Sequence, residues 1–185
     1  LRAQFRPVHG LVRQVPFRRA ESLAFSPDGR WLAAGDDVDA FLVFESATGR
    51  EVLRGQTGGP RLGDLRFSRD GRLLVTASGV LEAWTLSDGQ RAWAREDLRD
   101  ENLRVLDVAV SPDGHALAAS GAQVTLFDAR TGATLARHAL PYPPSTLAFP
   151  YFIPTKNSRI RSRPIASAVR MKNHTTDSRI DVASE

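Results

Sequence analysis

The stretch LAFSPDGRWLAAG, from Leu23 to Gly35, is the clearest indication of the fold because the chain repeats it. A second copy, LRFSRDGRLLVTAS, begins at Leu65, and a third, VAVSPDGHALAAS, begins at Val108. The copies are 42 and 43 residues apart. A fourth copy begins with TLAFP, residues 146–150, which contains Phe149. A period near 40 residues indicates a repeat architecture, and this signal outranks any local assignment of helix or strand.

Each copy places an S-x-D-G turn between two apolar runs. Asp is tolerated in such a turn, and Gly adopts the left-handed conformation that closes a tight hairpin. We therefore predict that the hydroxyls of Ser26, Ser68 and Ser111 cap the turns. A nucleophilic role is disfavoured because no acid–base residue follows them at catalytic spacing.

The rest of each copy reads as further short strands. In the first copy SLAFS, RWLAAG, AFLVFE and REVLRG are separated by D-G and T-G turns. The third strand is apolar on both faces, as in strands packed between neighbouring sheets. The predicted fold is all-β, a partial β-propeller of about three four-stranded antiparallel blades with a poorly structured C-terminal tail.

The repeats also give the predicted boundaries. Residues 1–21 are expected to end a preceding blade, with GLVRQVPF as its outer strand, and residues 22–149 to form the blades, at about 22–62, 63–104, 105–144 and the start of a fourth at 145–149. Propellers close with about four to eight blades. We therefore expect a fragment that lacks its true N-terminus, or a chain that needs further blades or self-association to complete the ring.

The tail, residues 150–185, differs in composition. Residues 1–149 contain no Ile, Lys or Met, whereas the tail contains four Ile, two Lys and the single Met. The hypothesis is a frameshift or junction near residue 149, so that the tail is out of frame. The alternative is a genuine disordered basic tail that binds an anionic surface.

The charge distribution excludes a nucleic-acid groove. Residues 1–149 balance 18 Arg against 18 acidic residues, so the whole net charge of +4 comes from the tail. The longest apolar run has about five residues, far too few to span a membrane. The absence of Cys suits a cytoplasmic protein, although exported bacterial proteins also lack it.

The phrase F-S-P-D-G-R-x-L-A-x-G, followed by L-F-D-x-x-T-G, resembles the WD-repeat β-propellers, particularly the degenerate bacterial kind. The resemblance covers about residues 12–149. The family's Trp-Asp pair appears here as Phe44-Glu45, Trp84-Thr85 and Phe127-Asp128. A related propeller family of exported bacterial proteins, which has a similar S-P-D-G turn, is the alternative.

The resemblance implies a buried hydrogen-bond network in each blade. Ser78, Ser120 and Asp39 match single positions of that network, but no copy has a complete set and the family's Gly-His pair is missing. We therefore expect the blades to be held mainly by apolar packing and by the hydrogen bonds of the sheets.

Few residues suggest chemistry, and we predict no catalytic, cofactor or metal site. The four His residues lack paired ligand spacing, and His115 is expected to be exposed. The acidic stretch GDDVDAF, containing Asp36, Asp37 and Asp39, lacks the spacing of a calcium loop. It is interpreted as a solvated loop.

The resemblance implies a non-enzymatic scaffold for protein–protein interaction, from a larger bacterial regulatory or signalling protein. The expected contact surfaces are the loops at one end of the disc, residues 35–40, 55–63, 78–81, 95–104 and 120–123, with Asp36, Asp37, Asp39, Arg61, Arg99, Asp100 and Glu101 as candidate residues. The alternative is a fragment of an enzymatic or exported propeller, of hydrolase or oxidoreductase type. That alternative requires inward-facing His, Glu or Asp from several blades.

Overall fold

The structure is a computed structural model, and it describes residues 19–98, 107–120 and 123–139. It also describes the backbone of strand segments at 4–5, 13–14, 146–148, 167–172 and 177–182. The predicted candidates Arg99, Asp100 and Glu101 lie outside these residues.

Three four-stranded antiparallel sheets follow one another along the chain, after a short pair formed by β1 (Gln4–Phe5) and β2 (Arg13–Gln14). Blade I contains β3 (Ala20–Phe25), β4 (Trp31–Asp36), β5 (Ala40–Glu45) and β6 (Glu51–Gln56). Blade II contains β7 (Asp64–Phe67), β8 (Leu73–Ala77), β9 (Leu81–Thr85) and β10 (Arg91–Arg95). Blade III contains β11 (Asp107–Val110), β12 (Ala116–Ser120), β13 (Gln123–Asp128) and β14 (Thr134–Ala139).

A three-stranded sheet follows, made of β15 (Thr146–Ala148), β16 (Ser167–Lys172) and β17 (Asp177–Val182). Two of its strands lie within the segment predicted to be a tail. The prediction of an all-β partial propeller with about three four-stranded antiparallel blades is confirmed. Glu96–Leu98 form a single 3₁₀ turn, and no α-helix occurs in the described part of the chain.

The predicted turn chemistry is also confirmed. In the first turn, Ser26 Oγ donates to Asp28 Oδ1 at 2.6 Å and accepts the Trp31 N–H at 2.8 Å. Gly29 has φ of 71°, in the left-handed region that favours glycine. The same bonds recur at Ser68 and Ser111, so these hydroxyls are consumed as turn caps.

Apolar packing joins each sheet to the next. Ala33, Phe41 and Val43 of blade I pack against Leu65 and Phe67 of blade II. A second cluster joins blades II and III, and a third joins blade III to Leu147 of β15. The first strands β3, β7, β11 and β15 contact one another in series. They therefore form the inner edge of a propeller arc.

The antiparallel order places connections at two ends. The S-x-D-G turns and the turns between third and fourth strands lie at one end, called here the turn end. The loops between second and third strands, and the connections from sheet to sheet, lie at the other, called the loop end. Of the loops predicted from the sequence to contact partners, the described residues 35–40, 55–63, 78–81 and 95–98 lie at the loop end.

Candidate functional site

Backbone hydrogen bonds join the loops at the loop end of blades I and II. Leu62 N donates to Val38 O, Thr57 N to Asp39 O, and Gly63 N to Ala77 O, each at 2.8 Å. Residues 36–39, 57–63 and 78–80, called here the loop platform, are thus tied to one another across two blades. Loops fixed in this way present their side chains in a constant arrangement.

The platform is packed closely at its centre. A Cβ added to Gly59 would lie 1.6 Å from the carbonyl oxygen of Ser78 and 2.6 Å from its Oγ. Only a residue without a side chain permits this approach of two backbones. The connection between blades I and II is therefore held directly against the β8–β9 loop.

A buried carboxylate anchors the same connection. Glu82, on β9, is completely buried, and its Oε2 accepts the Gly58 N–H at 2.9 Å. Its Oε1 accepts a hydrogen bond from Arg91 Nη1 at 2.8 Å. This bond raises the pKa of the Arg91 guanidinium further above its usual value. The sequence did not predict the role of Glu82, because the third strands were interpreted as apolar on both faces.

Replacing Glu82 by Ala is expected to cost about 3 kcal/mol in the free energy of unfolding. The change removes the completely buried carboxylate that accepts hydrogen bonds from the Gly58 N–H and from the Arg91 guanidinium. Glu82→Gln, which keeps an acceptor for Gly58, is expected to cost less. The exposed pair Glu51–Arg54 provides the control, and Glu51→Ala is expected to cost under about 1 kcal/mol. Urea unfolding of the three variants measures these costs, and equal losses for Glu82→Ala and Glu51→Ala would contradict the anchoring role.

The predicted acidic residues have different surroundings. Asp36 Oδ1 accepts the N–H groups of Val38 and Ala40 at 3.0 and 2.9 Å, so this carboxylate closes its own loop. Asp37 and Asp39 are half-buried, and Val38 between them is 54% exposed. The stretch is thus an acidic loop with an apolar tip.

Arg61, in the 57–63 segment of the platform, is exposed. Its Nη2 lies 3.7 Å from Glu21 Oε1, which is also 3.2 Å from Arg19 Nε. Glu21 and Arg61 border a cavity of about 340 Å³, which is also lined by Pro60, Leu62, Gly63, Ser78 and Gly79. The Oγ of Ser78, one of the predicted network positions, is buried without a hydrogen-bond partner there.

A series of polar side chains on the first strands was not predicted from the sequence. Ser22, Asp64 and Asp107 occupy equivalent positions on β3, β7 and β11, and each binds an N–H of the next sheet. Ser22 Oγ accepts from Leu65 N, and Asp64 Oδ2 from Val108 N, both at 3.3 Å. In each copy the sequence has a polar residue three positions before Phe67 or before the residue aligned with Phe67. This repeated position is the signal from which the series could have been predicted.

Asp64 is the most perturbed titratable group in the described part of the chain. Burial raises its pKa, as does the hydrogen-bonded and like-charged neighbour Asp107, and the resulting pKa is about 7. The nearby Arg66 guanidinium and the Ser22 hydroxyl oppose this rise. Ser22 Oγ donates to Asp64 Oδ1 at 2.9 Å and Arg66 Nη1 to the same oxygen at 2.5 Å. Both carboxyl oxygens of Asp64 are thus engaged in joining blades.

The remaining candidate groups do not assemble into a catalytic or metal-binding arrangement where the structure describes them. His115 is exposed, as predicted, and His138 is partly buried in β14. No three metal-ligating side chains gather among the described residues. In the same part of the chain no helix has the length and apolar character needed to cross a membrane.

The comparisons with known proteins agree with the repeated sheets. A comparison with curated proteins found no significant match. A family model described as outer membrane protein assembly factor BamB matches residues 12–167, which includes all three blades and extends past the change in composition at residue 149. The chain therefore belongs to this family of β-propeller repeats.

Proposed function

We propose that this chain is a non-catalytic recognition module that binds another protein through its loop platform. The main support for this proposal is the set of three backbone hydrogen bonds that fix residues 36–39, 57–63 and 78–80 as one surface. Val38 and Arg61 project from this surface as exposed apolar and cationic groups. A rigid surface with an apolar contact and flanking charges suits protein recognition.

The family description supports a role in protein assembly. It refers to a factor that assembles outer membrane proteins, and we infer a partner of that class, either an outer membrane protein or another component of its assembly. Such a role favours an exported chain over the cytoplasmic location expected from the lack of Cys. Fractionation of cells that make the protein distinguishes the two locations.

The charges of the platform indicate the partner's complementary surface. In and beside the platform, acidic side chains outnumber basic ones, with Glu21, Asp36, Asp37 and Asp39 against Arg19 and Arg61. We infer that the partner presents an apolar residue to Val38 with basic residues around it. Such charges act mainly on the rate of association, so binding is expected to weaken as salt increases.

An enzymatic propeller is the second candidate, and the carboxyl groups of Asp64 and Asp107 favour it. Two acidic side chains from adjacent blades meet near the inner edge, and one has a pKa near 7. The structural role is the better-supported reading, because both oxygens of Asp64 accept hydrogen bonds from the protein. A stoichiometric bound metal ion in the purified protein would support the enzymatic candidate.

Membership of the WD-repeat group stays a prediction. Its best support is in blade II, where Trp84 Nε1 donates to Thr76 Oγ1 at 3.1 Å. This is one bond of the network that the resemblance implies.

Position-resolved photo-cross-linking tests the proposed function. A photoreactive amino acid at Val38 or Arg61 is expected to capture one envelope protein, which mass spectrometry then identifies as an outer membrane protein or an assembly component. The matched controls are Ala47 and Ser87, which are exposed at the turn end. Equal capture of that protein from both ends would contradict recognition through the loop platform.

A further inference from the structure

The cavity beside Glu21 and Arg61 has polar atoms in its wall that lack hydrogen-bond partners. Ser78, which lines this cavity of about 340 Å³, is 1% exposed, and its Oγ makes no hydrogen bond within the described part of the chain. Glu21 Oε1 is also buried and accepts no hydrogen bond from the described residues. Burying a polar atom without a partner costs free energy. A ligand that supplies the missing bonds would account for both atoms.

The wall of the cavity is closely packed. A Cβ added to Gly59 would lie 2.6 Å from Ser78 Oγ, and one added to Gly35 would lie 2.1 Å from Leu62 Cδ2. Leu62 is completely buried, and it forms the apolar part of the wall together with Pro60. The cavity is therefore shaped by residues that have little room to move, as in a preformed binding site.

The charged groups beside the cavity indicate the charge of its ligand. Glu21 Oε1 lies 3.2 Å from Arg19 Nε and 3.7 Å from Arg61 Nη2. A bound cation would have to share this carboxylate with two guanidinium groups. A bound anion would be repelled by the buried carboxylate oxygen, whereas the attraction of the two Arg side chains, which are 62% and 57% exposed, is weakened by solvent. A neutral polar group avoids both penalties.

A carboxamide matches the hydrogen-bonding groups of the wall. Glu21 offers an acceptor and Arg61 offers N–H donors, and the 3.7 Å between them is too long for a hydrogen bond. The Ser78 hydroxyl can donate or accept. A carboxamide carries N–H donors and a carbonyl acceptor on one planar group, so it can satisfy all three side chains at once. An alkyl stem would then contact Pro60 and Leu62.

We propose that this cavity binds a neutral carboxamide, of the kind that an Asn or Gln side chain presents. Its N–H groups face Glu21, its carbonyl oxygen faces Arg61, and Ser78 Oγ makes the third hydrogen bond. Leu62, in the cavity wall, donates its N–H to Val38 O, so the site lies beside the exposed tip of the acidic loop. The assignment of the carboxamide to a side chain of the partner rests on the proposed function, whereas the site itself does not.

Nuclear magnetic resonance titrations of the full chain with three small probes test the site. Propanamide, propanoate and propylammonium carry a neutral, an anionic and a cationic group on alkyl stems of similar size. The backbone amide signals of Gly63 and Gly79, which line the cavity, report binding. Propanamide is expected to shift both signals saturably in the millimolar range, because the probe is small. Its affinity is expected to exceed that of either ion at least about ten-fold.

Two variants separate binding from folding. Ser78→Ala removes the hydroxyl of the cavity wall and is expected to weaken propanamide binding about five-fold. Thr57→Val is the matched control, because Thr57 Oγ1 is also buried without a partner among the described residues but does not line the cavity. It is expected to leave binding unchanged. Neither variant is expected to raise the unfolding constant more than about three-fold, because neither hydroxyl makes a hydrogen bond within the described structure.

Equal affinity of propanamide for the parent and for Ser78→Ala overturns the proposal. So does a charged probe that binds as tightly as propanamide, and so does the lack of any saturable shift, which would leave the cavity to water. None of these results bears on the capture of a partner at Val38, so failure of the carboxamide site is distinguishable from failure of the proposed function.

Discussion

Asp64→Asn is expected to remove most of the pH dependence of stability between pH 5 and 8. In the parent, the folded state holds a proton on Asp64 up to about pH 7, because burial and the neighbouring Asp107 raise this pKa from 3.8. The unfolded state releases the proton near 3.8, so the stability that this group contributes is present at low pH and is lost as the pH rises through 7. The loss amounts to about 3 kcal/mol between pH 5 and 8.

The Asn side chain reproduces the protonated acid without ionising. Its oxygen can accept from Ser22 or Arg66 and its amide group can donate to Asp107, whereas the Val108 N–H loses the acceptor that Asp64 Oδ2 provides. We therefore expect Asp64→Asn to be about 1 kcal/mol less stable than the parent at pH 5, because the Val108 N–H loses its acceptor, and to exceed the parent in stability at pH 8. Urea unfolding at pH 5, 6, 7 and 8 measures both curves.

Asp70 provides a control of opposite sign. The hydrogen bond from Ser68 lowers the pKa of this turn carboxylate, so its contribution is present at neutral pH and is lost on acidification. Asp70→Asn is expected to leave the slope between pH 5 and 8 unchanged. If Asp64→Asn also leaves it unchanged, the carboxyl pair does not control the stability of the blade junction.

Gly59→Ala is expected to give the second large effect, a loss of about 3 kcal/mol together with disruption of the loop platform. The added Cβ would lie 1.6 Å from a backbone oxygen of Ser78, so the connection between blades I and II must move. The amide protons of Leu62 and Gly63, which donate to Val38 O and Ala77 O, are expected to exchange faster as those bonds weaken.

The neighbouring glycine supplies the matched control. A Cβ on Gly58 would meet Glu82 Oε1 at 3.5 Å, an ordinary contact. Gly58→Ala is therefore expected to cost less than about 1 kcal/mol, with unchanged exchange at Leu62. Similar losses for the two variants would show that the close approach of Gly59 to Ser78 does not hold the platform together.

The repeats made the strands and turns predictable, because each turn needs local chemistry that the sequence displays. Ser26 and Gly29 act within one hairpin, and their roles follow from turn geometry alone. The loop end was also predictable, since the order of antiparallel strands fixes where loops emerge.

The contacts between blades were not predictable in the same way. Asp64 meets Ser22 and Asp107 because successive first strands stack side by side, more than 40 residues apart in sequence. Glu82 meets Gly58 for a similar reason. A polar residue in an apolar strand is visible in the sequence, but its partner depends on how the sheets pack.

Recognition through the loop platform is tested by the affinity of the cross-linked partner for two variants of the purified chain. One variant, Val38→Asp with Arg61→Glu, changes the exposed groups of the loop platform, and the other, Asp64→Asn, changes the inner carboxyl pair. Recognition through the platform predicts at least a ten-fold loss of affinity for the first and no change for the second. Full affinity in the platform variant, with loss in Asp64→Asn, would contradict recognition through the platform and favour a site at the inner edge of the propeller.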